Sequence, residues 1–283
     1  MKYRIKTIQS VSAMRMRNIL VTLAVLASFL WAGVAHPSET ALPTGNFADM
    51  QETQSAQVLE VISPLTLKLA SGDIIRLSGI TMPGYTAETA DSFAVTSLNI
   101  LRDMYEGQMV RVYQTRQKDW GRTDRMGQKL AHIARQSDGA WAQGTLVGLG
   151  LAQVKTEQRT PEMADQLYAL EAYARKNGDG IWAEEAKVLS AAEAGEHLNS
   201  FQIVEGRVVS AAINKNRIYL NFGQNWRDDF TVSIAPESRK TFTKAGLNPL
   251  EWNGKTLRVR GWVEDYNGAY IEIDHPEALE ILN

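Results

Sequence analysis

Residues 61–85 read VISPLTLKLASGDIIRLSGITMPGY, and this stretch indicates the fold of the central part of the chain. It belongs to two runs, residues 58–69 and 74–80, in which β-branched and other apolar side chains alternate with polar ones. Such alternation is typical of strands that bury one face. Residues 70–73 separate the runs and contain a Ser-Gly pair, so we predict a tight hairpin there. A Met-Pro-Gly turn at 82–84 ends the second run.

The segments that follow alternate between helix and strand. Apolar residues in 87–106 recur at helical spacing, and Gly107 marks the end of that helix. Residues 109–113 alternate as a strand, and residues 141–154 contain a short helix. A third helix is predicted to begin at Pro161, because proline is well accommodated in a first helical turn.

Three motifs occur in this region in a fixed order. They are R-L-x-x-I-x-x-P at 76–83, T-D-x-x-G-x-x-L-A-x-I at 123–133, and L-x-x-x-E-x-x-A-R followed by G-I-W at 167–182. Together they resemble the signatures of the staphylococcal nuclease (thermonuclease) family. The resemblance extends over residues 56–186 and implies a five-stranded OB-type barrel with three helices.

The same resemblance implies a phosphodiester hydrolase. The family binds Ca²⁺ with two aspartates, activates water with a glutamate and binds phosphate with two arginines. Hard cations take oxygen ligands, a base must reach the water proton, and fixed cations stabilise charge on the phosphate. At the matching positions the aspartates are replaced by Leu65 and Thr81, the glutamate by Gly84 and one arginine by Gln128, so that Arg76 alone is retained.

These substitutions lead us to expect that the domain is not a nuclease, and we assign it no catalytic residue, metal or cofactor. In the alternative, the protein is a secreted Ca²⁺-dependent nuclease with a rebuilt active site. Glu88 would then supply the carboxylate that is missing at Gly84. We expect Asp124 to stabilise a turn and His132 to be structural. Carboxylates clustered near Arg76 would favour the enzyme, whereas an apolar patch around Leu65 and Met82 would favour a binding surface.

The C-terminal part, residues 201–283, shows a second β-rich pattern. Strands are predicted at 203–213, 217–222, 229–234, 256–263 and 269–273, with a helix at 236–245. Three strands, a helix and two strands is an order similar to an OB-fold. The predicted fold class is therefore mainly β with helices (α+β), with a nuclease-like OB barrel at 56–186 and an OB-like domain at 201–283.

Ligand-binding candidates in this second domain lie on the strands that OB-folds use for ligands. They are Arg217, Tyr219, Asn221 and Phe230. Aromatic rings with interleaved arginines can stack on bases or sugars. The alternative is that Tyr219 and Phe230 belong to the core. Residues 187–200 are expected to link the domains, and the Ala- and Glu-rich stretch 184–196 is expected to be helical.

The first 35 residues have the pattern of a signal peptide. Basic residues precede an apolar run at 19–31, and small residues at 32–35 provide a cleavage site. We expect export to the periplasm or secretion, with an uncleaved membrane anchor as the alternative, and a flexible tether at 36–55. The absence of cysteine excludes a thiol nucleophile.

Net charge bears on the partner. The five charged residues of the leader are all basic, so the remaining chain has 25 basic and 32 acidic residues. Non-specific nucleic-acid binding relies on Lys and Arg to neutralise phosphates. The charge therefore disfavours an oligonucleotide as partner, and we expect an unidentified partner or ligand in the cell envelope and a binding or scaffolding role.

Overall fold

The computed structural model describes residues 41–86, 90–183, 188–225 and 229–282. The predicted signal peptide and Glu88 lie outside these ranges. The described residues from Leu42 onwards belong to one compact unit. None of its helices is both long enough and apolar enough to cross a membrane.

Five strands in the first half form a closed barrel. The elements of this half are β1 (Met50–Ser63), β2 (Thr66–Leu69), β3 (Ile74–Leu77), β4 (Ile80–Thr81), α1 (Ser92–Tyr105), β5 (Met109–Thr115), β6 (Lys129–Arg135), α2 (Ala142–Gly148), β7 (Gln153–Val154) and α3 (Ala164–Asn177). Strands pair in the order β1-β2-β3-β6-β5, and β5 pairs with β1 to close the barrel. The β3–β6 pair is parallel and the others are antiparallel. The predicted α+β class and nuclease-like barrel are confirmed.

The hairpin over 70–73 is present, since Leu67 of β2 pairs with Ile75 of β3. The prediction of one strand over 58–69 was wrong, because the chain reverses at residues 64–65 and β2 returns alongside β1. Proline at 64 has no N–H to give to a ladder, which favours a turn at that point.

Residues 42–55 do not form the flexible tether that was predicted for 36–55. Trp141 N donates to Pro43 O at 2.8 Å, and the Phe47 ring stacks on Tyr113 with centroids 4.1 Å apart. Residues 50–55 are the first half of β1 and pair with β5. Residues 50–55 show no alternation of polar and apolar side chains, because this half of the strand buries few side chains and is held by backbone pairing.

Helix α1 begins and ends beside residues suited to those positions. Asp91 caps α1, where its carboxylate accepts a hydrogen bond from Ala94 N at 2.7 Å, and Gly107 follows the helix with φ of +75°. Helix α3 begins at Ala164 instead of Pro161, because Met163 adopts a left-handed conformation with φ of +71°.

The second half is a twisted sheet with one helix. Its elements are β8 (Leu189–Ser190), β9 (Ser200–Arg207), β10 (Ser210–Asn214), β11 (Arg217–Asn221), β12 (Thr231–Ile234), α4 (Arg239–Lys244), β13 (Thr256–Asp265), β14 (Ala269–Glu272) and β15 (Leu279–Ile281). The strands pair in the order β10-β11-β12-β14-β13-β9. If β9 and β10 are counted as one bent strand, this is the pairing order of the barrel, with the parallel β12–β14 pair in place of β3–β6.

Two sequence predictions in this half need correction. The strand predicted over 203–213 is divided into β9 and β10 at residues 208–209. The second correction concerns the linker expected at 187–200. Residues 188–193 are not helical, and Leu189 is buried and pairs with Val204, so this segment is part of the sheet. Residues 184–187 of the predicted linker helix lie outside the described ranges.

The two halves share a buried charged contact. Arg260 of β13 contacts Glu171 of α3 at 2.7 Å and Glu280 of β15 at 2.8 Å, and its guanidinium lies 4.4 Å from the centroid of the Tyr168 ring. Arg260 and Glu171 side chains are 2% and 0% exposed. The third sequence motif thus supplies the carboxylate that joins the halves.

Candidate functional site

The positions that the resemblance assigned to catalysis lie on neighbouring barrel elements. Arg76 on β3 pairs with Thr66 of β2 and with Leu130 of β6. Leu65 accepts a backbone hydrogen bond from Leu77 N at 2.9 Å. Gln128 directly precedes β6. The barrel therefore brings the neighbourhoods of Leu65, Arg76 and Gln128 together.

Leu65 and Met82 belong to the barrel core. They are 4% and 3% exposed and pack in the same hydrophobic cluster. The apolar surface patch considered from the sequence is therefore not formed by these residues. An alkyl side chain in this place neither ligates a cation nor leaves room for one beside it.

Gly84 follows β4, in a turn that is unfavourable for a glutamate. Its φ is +70°, a left-handed conformation that disfavours other residues. A Cβ added at Gly84 would lie 1.8 Å from Asp91 Oδ2. The cap of α1 thus occupies the place where a side chain at 84 would begin, and no substitution fits there without movement of Asp91.

Asp91 is a residue that sequence reasoning missed. It brings a carboxylate to the turn after β4, while its Oδ1 accepts from Ala94 N. The only signal in the sequence was an N-cap residue before an apolar-periodic segment. Its adjacency to Gly84 depends on how the turn folds.

Asp124 stabilises a turn, as expected. Its Oδ1 accepts hydrogen bonds from Met126 N at 2.8 Å and from Gln128 N at 2.9 Å. The turn presents Met126, which is 81% exposed, and places the partly buried Gln128 at the start of β6. Gln128 can donate and accept hydrogen bonds but provides no charge to balance a phosphate.

Nearby acids are engaged elsewhere. Asp73 forms an ion pair with Lys129 at 2.9 Å, and the hydrogen bond from Lys129 holds the pKa of that carboxyl below its usual value. Within the described ranges, three or more His, Asp or Glu side chains do not come together as a potential metal site. Thr81, partly buried at the end of β4, has only a neutral hydroxyl to offer.

His132 is structural, as predicted. It is fully buried, and its Nδ1 accepts a hydrogen bond from Trp141 Nε1 at 3.2 Å. Burial lowers the pKa of His132 to about 3. The ring is therefore neutral at physiological pH and serves the packing of the barrel.

Comparison with known families agrees with this geometry. Residues 74–184 match the family model described as "Staphylococcal nuclease homologue". This segment is a staphylococcal nuclease-like domain. No curated protein matches the chain.

The family match begins at β3 and extends past α3. It includes the three motifs and four of the five positions discussed above, and Leu65 lies just before it. Strands β1 and β2 complete the barrel from the N-terminal side. The nuclease-like domain thus keeps the framework of the family, and Thr81, Gly84 and Gln128 stand at positions where the resemblance places groups needed for its chemistry.

Outside the nuclease-like domain, three of the predicted ligand-binding residues share one face of β11. Arg217, Tyr219 and Asn221 alternate with the buried Ile218 and Leu220. Arg217 Nη1 donates to Ser233 Oγ at 3.0 Å and also bonds to Glu272. Asn221 Nδ2 donates to Ser210 Oγ at 3.1 Å. The polar groups on this face are largely engaged with one another, and Tyr219 remains partly exposed.

Phe230 does not join this face. It is 3% exposed and packs against Phe222 with ring centroids 5.0 Å apart. As a core residue it is not available to a ligand, in agreement with the alternative considered from the sequence.

A cleft lies where the second sheet meets the nuclease-like domain. Its volume is about 160 Å³, and its walls include Lys155 and Thr156 from one side and Trp262, Asp274 and His275 from the other. These residues come from distant parts of the sequence and form no motif. Only the packing of the two halves brings them together.

Proposed function

We propose that the protein is exported and that its nuclease-like domain acts as a non-catalytic binding or scaffolding module in the cell envelope. The proposal rests chiefly on the way that the altered positions are built into the fold. Leu65 is part of the core, and the space beside Gly84 is taken by Asp91. These replacements are integrated with packing and capping, so a single substitution would not restore the family site.

The number of replaced groups supports the same proposal. A positioned general acid or base contributes about 10²- to 10⁴-fold to a rate. The residues at 65, 81, 84 and 128 replace two metal ligands, the base and one phosphate-binding cation together. A site without these groups retains Arg76 for electrostatic attraction, which favours binding over hydrolysis.

A second candidate is the nuclease with a rebuilt site. The observation in its favour is the Asp91 carboxylate, which contacts the place where the family glutamate would begin. Its Oδ2 would be available to a cation, while Oδ1 caps α1.

A calcium titration distinguishes the two candidates. With calorimetry of the folded protein, we expect no saturable binding of Ca²⁺ at millimolar concentrations, and no difference between the protein and an Asp91→Asn variant. Saturable Ca²⁺ binding that Asp91→Asn removes would support the rebuilt site and refute the non-catalytic proposal. Because asparagine also caps helices, this variant should keep α1 intact.

A further inference from the structure

We propose that the cleft between the nuclease-like domain and the second sheet binds one ring of a neutral carbohydrate. Its volume of about 160 Å³ is close to that of a cavity of about 150 Å³ that holds benzene. The cleft therefore fits a single six-membered ring. None of the family positions lines this cleft, and the proposal does not depend on whether those positions are catalytic.

Two aromatic side chains provide the apolar wall. Trp262 of β13 lies opposite Phe201 of β9 in the antiparallel ladder. The tryptophan is 55% exposed, an unusual degree of exposure for so large an apolar ring. Lys155 Nζ lies 5.6 Å from the centroid of the Phe201 ring. The flat, accessible indole offers an apolar surface on which the C–H face of a sugar ring can pack.

The polar groups of the cleft include both donors and acceptors. Lys155 supplies an ammonium group, whereas Glu272 and Asp274 supply carboxylates. A sugar hydroxyl donates and accepts hydrogen bonds, so it can satisfy both kinds of group. A phosphate only accepts and would face two carboxylates, whereas an organic cation would face the ammonium group. The mixture favours a neutral polyhydroxylated ligand.

Arg260 is a buried part of the cleft wall. Its terminal nitrogens bond to Glu171 and Glu280, but its buried Nε has no hydrogen-bond partner among the described residues. Buried N–H groups are nearly always paired. Because this Nε is closed off from solvent, Arg260 forms part of the cleft wall without offering an accessible donor.

The opposite wall is fixed without any ligand. His275 Nδ1 lies 2.6 Å from Asp274 Oδ1, and its Nε2 lies 2.8 Å from Thr156 Oγ1. Thr156 also donates to Glu277 O at 2.9 Å. These bonds join the two halves beside the cleft and keep its walls in place, which reduces the cost of ordering a site when a ligand binds.

The test is a calorimetric titration of the folded protein with cellotetraose, chitotetraose and maltotetraose, with decathymidylate as the anionic comparison. We expect at least one of the three sugars to bind at one site per chain. Trp262→Ala should weaken that binding at least about 10-fold, a clear change in a dissociation constant. Trp120→Ala is the matched control, since Trp120 is 40% exposed but does not line the cleft.

Circular dichroism of both variants verifies that they are folded, which an exposed position should permit. The proposal is overturned if none of the sugars binds at about 10 mM, well above the dissociation constant of a millimolar ligand. It is also overturned if sugar binding is unchanged in Trp262→Ala, or if decathymidylate binds more tightly than the sugars and competes with them.

Discussion

Leu65 shows how a single residue converts a functional position into part of the core. The sequence resemblance places a metal-ligating aspartate at this position, yet Leu65 is 4% exposed within the barrel cluster. Truncation to alanine removes buried methyl groups, for which losses of about 2–5 kcal/mol in unfolding free energy are usual. We therefore expect Leu65→Ala to be strongly destabilising in urea denaturation.

Leu65→Asp should be worse than alanine at pH 7, because it also buries a charge. The gap between the two variants should narrow at low pH as the carboxylate becomes protonated. Leu59→Asp is the control, since Leu59 is 60% exposed on the preceding strand β1 and should change stability by no more than about 0.5 kcal/mol. Equal stability of Leu65→Asp and the unaltered protein would show that the site still accepts an acid.

His132 predicts a pH dependence of stability. Its pKa is about 3 in the native protein, whereas an unfolded histidine titrates near about 6.5. As pH falls between these values, the unfolded chain takes up a proton and the native ring does not. The unfolding free energy should therefore fall by about 1.4 kcal/mol for each pH unit in that window, and this contribution is fully present above about pH 6.5.

The measurement is urea denaturation at several pH values between 7 and 4, compared with His132→Asn. Asparagine can still accept a hydrogen bond from Trp141 but does not titrate, so its stability should depend less steeply on pH. Identical slopes for the two proteins would rule out His132 as the source.

At the scale of elements, the turn after β4 and the start of α1 form one structural unit. Gly84→Ala adds a Cβ that meets Asp91, in a left-handed conformation that itself costs about 1–2 kcal/mol. Asp91→Ala removes the cap of α1, which costs about 0.5–2 kcal/mol. The contact between the new Cβ and the Asp91 carboxylate is absent when residue 91 is alanine. The unfolding free energy of the double variant should therefore fall by less than the sum of the two single losses.

A double-mutant cycle by urea denaturation measures this coupling. Asp103→Ala serves as the control, because Asp103 is exposed on α1 and is distant in sequence from the cap. Strict additivity of Gly84→Ala and Asp91→Ala would contradict the contact.

The elements also show what could be predicted from the sequence. Alternation and the Ser-Gly pair identified the β2–β3 hairpin, and helical spacing identified α1. By contrast, the pairing of residues 50–55 with β5 leaves little trace, because backbone hydrogen bonds hold that strand with few buried side chains. Strand β8 was missed since a two-residue strand has no period to detect, and its place depends on pairing with β9.

The same distinction applies to the candidate sites. Positions that depend on order along the chain, such as Arg76 and Gln128, could be assigned from motifs. Asp91 beside Gly84, and Trp262 beside Lys155, depend on packing between segments that are separate in sequence. Such contacts cannot be predicted from a local sequence pattern.

For the whole molecule, the buried contact of Arg260 with Glu171 should make the two halves unfold together. Glu171→Gln leaves Arg260 without a full countercharge, and breaking a buried pair in this way costs about 3–5 kcal/mol. We expect one calorimetric transition in the unaltered protein and a lower, broadened or divided transition in the variant.

Replacement of both partners, as Glu171→Leu with Arg260→Met, should recover part of the loss, because the uncompensated charge is removed while the buried Val154 N–H loses its acceptor. Glu272→Gln is the control: its partner Arg217 is partly exposed, and such pairs contribute about 0–1 kcal/mol. If Glu171→Gln and Glu272→Gln have equally small effects, the buried contact does not couple the halves.

The central claim is that the nuclease-like domain no longer cleaves nucleic acid, and a cleavage assay tests it most directly. The folded protein is incubated with single-stranded DNA and RNA in the presence of Ca²⁺, beside an Arg76→Ala variant and a chelator control. We predict the same background for all samples. Ca²⁺-dependent cleavage that Arg76→Ala abolishes would contradict the account.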